Sequence, residues 1–125
     1  HVISDFIYQA LQTRKIKMMT TGEEWRQFTH IKDLSRAFHM ALTAKNKTRT
    51  VYDASSYEWV RIIDVARIIG GVTGAKVMPG KSMGHNPLPS LNMGRVPGWL
   101  PSITLQNGIK EMIDQAQKQL NGKKE

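Results

Sequence analysis

The stretch Arg26-Gln27-Phe28-Thr29-His30-Ile31-Lys32-Asp33 decides the fold, because an extended segment passes there into a helix. Trp25, Phe28 and Ile31 are spaced through the extended run, and Leu34, Ala37, Phe38, Ala41 and Leu42 then recur at helical spacing. Asp33 stands where a carboxylate caps a helix or meets the positive end of its dipole, so a helix is predicted over residues 33–44. Upstream, residues 16–20 are extended in character and Thr21, Gly22 and Glu23 form a polar turn, which predicts two short strands around that turn. Further back, Val2, Ile3, Phe6, Ile7, Ala10 and Leu11 make one apolar stripe of an amphipathic helix over residues 1–14, and its basic end suits a helix C-terminus.

Downstream, the β-branched and aromatic run beginning at Thr50 predicts a strand over residues 51–54, turned by Ser55 and Ser56. Ile62, Ile63, Val65, Ala66, Ile69 and Val72 form the apolar face of a third helix that stops at Gly74, although Gly70 and Gly71 weaken it by about 1 kcal/mol each. All five prolines, at 79, 87, 89, 97 and 101, fall in residues 79–103, which predicts an irregular surface loop. Thr104 caps a last helix with Leu105, Ile109, Met112, Ile113 and Ala116 on one face, before a frayed tail at 121–125. Helices alternate with short strands, so the fold class is α/β, in one unit of 125 residues.

The chain has no cysteine, which excludes a disulfide framework, a thiolate zinc site and a cysteine nucleophile. No apolar run approaches a membrane span, and a soluble, cytoplasmic protein without membrane contact is the expectation. The first residue is His1 rather than methionine, which points to sequence lying upstream. A formal net charge of +8 attracts anions. The bases are scattered, and no Asp or Glu occurs between Asp64 and Glu111, a distribution that suits a small anionic ligand at least as well as a duplex backbone.

Searching for catalysis gives absences. The sequence holds no Gly-x-Ser-x-Gly elbow, Walker phosphate loop, His-Glu-x-x-His pair or Gly-x-Gly-x-x-Gly cofactor turn. His30, His39 and His85 are far apart, so no metal site is expected, and Asp33, Asp53 and Asp64 stand near element ends, where capping is their ordinary role. No catalytic, cofactor-binding or metal residue is assigned.

The opening stretch resembles the Arg-Asp-Phe-x-Tyr/His-Val-x-Asp segment of extended short-chain dehydrogenases, the NAD-dependent nucleotide-sugar epimerases and dehydratases. Ile16-Lys17-Met18-Met19-Thr20-Thr21-Gly22-Glu23 resembles the strand and Gly-Asp-Gly turn before that segment. Val51-Tyr52-Asp53-Ala54-Ser55 is similar to the family's Tyr-Asn-Ile-Gly-Ser strand, and Ile63-Asp64-Val65-Ala66 to its next helix. Pro97-Gly98-Trp99-Leu100-Pro101 resembles the terminal Leu-Gly-Trp-x-Pro motif. The resemblance implies the small C-terminal, substrate-binding part of an extended Rossmann-type epimerase, with the Rossmann core missing.

In that family the N-terminal half carries NAD or NADP and a Tyr-x-x-x-Lys pair. Here Tyr8, Tyr52 and Tyr57 are followed four residues later by Gln12, Ser56 and Arg61, so the pair is absent and the chain alone is not expected to turn over. The resemblance implies a nucleotide diphosphate sugar as ligand: Arg26 for the diphosphate, Met19 beside the base, and Lys81 near a second phosphate-binding arginine whose Arg-x-Gly-Asp pattern is not kept. Its implied partners are the missing Rossmann domain and further copies of the chain. Two other functions compete. A basic α/β module could bind nucleic acid through Arg14, Lys15, Lys17, Lys45, Lys47 and Arg49, although it lacks a reading helix or aromatic platform. A truncated relative could instead serve assembly through its apolar faces.

Overall fold

A computed structural model describes residues 1–48, 50–87 and 93–122. Among the described residues, four helices and four very short strands follow one another: α1 (Val2–Thr13), β1 (Lys15–Lys17), β2 (Trp25–Arg26), α2 (Ile31–Thr43), β3 (Val60–Arg61), α3 (Ile62–Thr73), β4 (Lys76–Met78) and α4 (Leu105–Gly122). The α/β alternation is as expected, and so are α1, α3 and α4 within a residue or two. Phe6, Ile7 and Ala10 of α1 meet Val65, Ala66 and Ile69 of α3 and Ile109 and Ile113 of α4 in one buried core, which removes the stripes of all three helices from water. A second, smaller core joins Ala37 of α2 to Val96 and Trp99.

The strands pair differently from the expectation. Residues 16–20 and 25–31 do not form two strands facing each other across the turn. β1 pairs in parallel with β4, Lys15 opposite Lys76, and β2 pairs antiparallel with β3, Trp25 opposite Arg61. The cause lies at the start of α3, whose first amides have no partner within the helix. The Ile62 and Ile63 N–H groups donate to the Glu24 and Gly22 carbonyls (3.1 and 2.9 Å), so the turn is bound to α3. Gly22 there has φ of 82°, and a Cβ would overlap Met18 and Ile63. The strand β4 was not foreseen. Of the four residues between the left-handed C-cap Gly74 and Pro79, only Lys76–Met78 form the strand, too few to make a pattern.

Two further expectations are corrected. The helix predicted over 33–44 begins at Ile31, capped by His30, whose Nδ1 accepts the Lys32 N–H (3.2 Å); Asp33 is turned away into the protein. Residues 51–54 form no strand, only an isolated bridge in which the Asp53 N–H donates to the Gly94 carbonyl (2.8 Å). Their β-branched pattern suits a sheet, and among the described residues no neighbouring strand lies alongside. The proline-rich segment 79–103 is irregular where it is described; residues 88–92 of it, Arg49 and residues 123–125 of the tail lie outside the described residues. Thr104 does cap α4, its Oγ1 accepting the Asn107 N–H (3.3 Å). No helix among the described residues is long and apolar enough to cross a membrane.

Candidate functional site

Met19, Arg26 and Lys81 are spread over 62 positions, and they lie on two backbone segments that are hydrogen-bonded to each other. The first is the turn from Met18 to Arg26. The second is a strap, residues 79–86, that leaves β4 and continues its parallel course: the Met18 N–H donates to the Met78 carbonyl (2.9 Å), Gly80 to Thr20 (2.8 Å) and Thr21 to Ser82 (2.8 Å). A Cβ on Gly80 would collide with the carbonyls of Met18 and Met19, so only glycine lets the strap lie this close. The strap's far end is tied by Asn86, whose Oδ1 accepts the Trp25 N–H (2.9 Å). Met19 and Lys81 therefore stand on abutting backbones, and Arg26 follows the residue that Asn86 holds.

Glu24 lies beneath the strap, 8% exposed and pressed against Gly84. Its Oε1 accepts the Thr20 hydroxyl (2.6 Å), while its Oε2 and the Thr21 hydroxyl are buried without a hydrogen-bond partner. Above, the surface is open. Met19 is 92% exposed, Lys81 is exposed, and the half-buried Arg26 donates from Nη1 to the Trp25 carbonyl (2.7 Å). Neither Arg26 nor Lys81 makes an ion pair among the described residues. Arg61 differs: it bonds both Glu23 (3.0 Å) and Asp64 (2.8 Å), and Asp64, held below its ordinary range chiefly by that guanidinium, also pairs with Arg67. The cation of Arg61 is thus committed within the fold, whereas those of Arg26 and Lys81 remain available to an anion.

A polar cluster that sequence reading missed surrounds Asp33, which is 1% exposed. Burial alone would raise its carboxyl, but the Ile103 N–H (2.8 Å), the Arg36 guanidinium (2.7 Å) and the Ser102 N–H and hydroxyl (2.9 and 2.8 Å) hold it well below the usual carboxylate range. The Trp99 indole donates to the Asp33 carbonyl (2.9 Å), and the ring is buried in the smaller core. Tyr57, at φ of 58°, stands edge-on to Trp99 and lies under the Arg95 guanidinium, 4.2 Å from its ring centre. These contacts lock α2 onto the segment before α4. Only the tryptophan, flanked by Pro97 and Pro101, hinted at them. No three His, Asp or Glu residues among the described ones are grouped to hold a metal.

A family model described as the NAD dependent epimerase/dehydratase family matches residues 1–55. No curated protein matches the chain. Solved structures of similar fold include the Bordetella bronchiseptica enzyme WbmF in complex with NAD+, at 21% identity and TM-score 0.76 over 97% of this chain and 37% of that one. The UDP-glucose 4-epimerase of Thermotoga maritima with UDP-glucose aligns at 19% identity and TM-score 0.74 over 96% and 40%. The UDP-glucuronic acid 4-epimerase of Bacillus cereus with UDP-glucuronic acid and NAD aligns at 21% and 0.72 over 93% and 40%. The chain spans about 40% of the length of such structures, and at these identities the likeness is one of fold.

Proposed function

We propose that this chain is the C-terminal, substrate-side part of a nucleotide-sugar epimerase or dehydratase, a reading supported by the match of the NAD dependent epimerase/dehydratase family model to residues 1–55. In this reading Arg26 grips the diphosphate of a nucleotide sugar, Met19 lies along its base and Lys81 adds a second, weaker charge. The observation that carries it is the convergence of these three residues through the strap, with two cations left unpaired beside a fully exposed methionine. A guanidinium presents a two-pronged donor edge matched to phosphate, and a nucleotide sugar supplies the anion.

In this reading NAD or NADP is carried by a Rossmann half of the parent enzyme, and no step of the chemistry is assigned to this chain. What the chain's own residues do is bind and orient the ligand. Support for a missing half comes from α2, whose Ile31, Phe38 and Leu42 repeat at seven and four residues and form one exposed apolar stripe.

The test is calorimetric titration with UDP-glucose. Loss of a charge-assisted contact of roughly 1.5 to 3 kcal/mol makes Arg26→Ala bind about ten- to a hundredfold more weakly. Lys118→Ala, on the exposed face of α4, serves as control. Arg61 cannot serve, because it bonds Glu23 and Asp64. Equal affinity of Arg26→Ala and the parent chain overturns the assignment.

A further inference from the structure

The geometry points to Met83, on the strap, as a second apolar wall for the base of a nucleoside diphosphate, facing the same ligand as Met19. This rests on the reading of Arg26, Met19 and Lys81 just given. Met83 is 76% exposed and Trp25 is 43% exposed, so with Met19 three large apolar side chains meet water on the strap and the segment bonded to it, which also carry Lys81 and Arg26. Their grouping is fixed by the backbone. Thr20 bridges Ser82, which places Met19 and Met83 next to the two bridged residues, and Asn86 holds Trp25 at the strap's end.

The chemistry of this surface names its ligand class. A bare phosphate or an acidic peptide needs the cations but gains nothing from the thioethers. A nucleoside diphosphate has a planar ring with two apolar faces at one end and two negative groups at the other, and matches both. Methionine is unbranched and polarisable, so a pair of them adapts to a ring face and gains sulfur–aromatic contact without reading hydrogen-bonding edges. The strap thereby contributes affinity for a base but little discrimination between bases.

The experiment titrates the chain with UDP and, separately, with inorganic pyrophosphate. Met83→Ala is expected to weaken UDP about two- to tenfold and to leave pyrophosphate unchanged, while Met83→Leu keeps most of the UDP affinity. Arg26→Ala is expected to weaken both ligands. Because Met83 is in water, its variants should melt at the parent temperature, and that measurement accompanies the titrations. Unchanged UDP affinity in Met83→Ala, alongside a weakened Arg26→Ala, overturns the role of Met83 and leaves the proposed site standing. An equal loss for UDP and pyrophosphate in Met83→Ala also overturns it. If UDP does not bind, or Arg26→Ala binds it as well as the parent, both the site and this inference fall.

Discussion

A carboxylate far from the proposed ligand surface, Asp33, bonds two consecutive backbone amides almost seventy residues away. Asp33→Ala leaves the Ser102 and Ile103 N–H groups without their acceptor and removes one acceptor of Arg36, which still reaches the Leu100 carbonyl, and a loss of about 3 to 5 kcal/mol in urea unfolding is expected. Asp33→Asn, which keeps one oxygen acceptor, should lose less. The pH dependence follows from the same bonds. The folded carboxyl sits well below its ordinary 3.8, so its contribution is fully present above that ordinary value and is lost as pH falls through the folded one. Asp64, through Arg61 first, and Glu111, through Lys32 first, are shifted the same way. Circular dichroism should therefore show acid unfolding setting in below about pH 4, with a shallower slope in Asp33→Asn. At the ligand surface, Arg26→Lys is expected to recover only part of the UDP-glucose affinity lost in Arg26→Ala, since an ammonium is a point charge. Recovery of the full affinity in calorimetry would show that geometry does not matter there.

Among the elements, the strap depends on the close approach at Gly80. Gly80→Ala should drive it from the 18–19 backbone and expose the amides of Thr21 and Gly80, a change read as faster hydrogen exchange at those two positions, with α1 and α4 unaffected. Unchanged exchange would mean that the strap is held elsewhere. The difference between what was legible and what was not has the same origin. The helices carry stripes such as Phe6, Ile7 and Ala10 or Ile109, Ile113 and Ala116, which repeat over several turns and can be read locally. The strands are two or three residues long, and their partners lie 34 to 61 positions away, so nothing local distinguishes β4 from loop. Residues 51–54 show the converse: the local pattern is strong and the sheet it suits is not among the described residues. Of the candidate site, Met19, Arg26 and Lys81 were legible through the resemblance alone; their convergence was not, because Gly80, Ser82 and Asn86 act through backbone contacts without a sequence pattern.

For the molecule as a whole, the bare stripe of Ile31, Phe38 and Leu42 sets the behaviour in solution. Leu42 is 78% exposed, and such a patch is commonly covered by another copy when its partner is missing. Sedimentation velocity should show concentration-dependent dimers that Phe38→Glu abolishes; a parent chain that stays monomeric at high concentration counts against self-association. The strand pairings carry a further consequence, for the moment of synthesis. The family match ends at residue 55, yet β1 and β2 lie before that point while both of their partners, β4 and β3, lie after it. The matched segment is thus no autonomous folding unit. On the ribosome, Ile16 and the turn at Gly22 must wait, unpaired, until Met78 has cleared the exit tunnel. At about 5 to 20 residues per second, that leaves the nascent chain several seconds of exposed α1 and strand edges, the interval in which a chaperone or a premature encounter between chains would act.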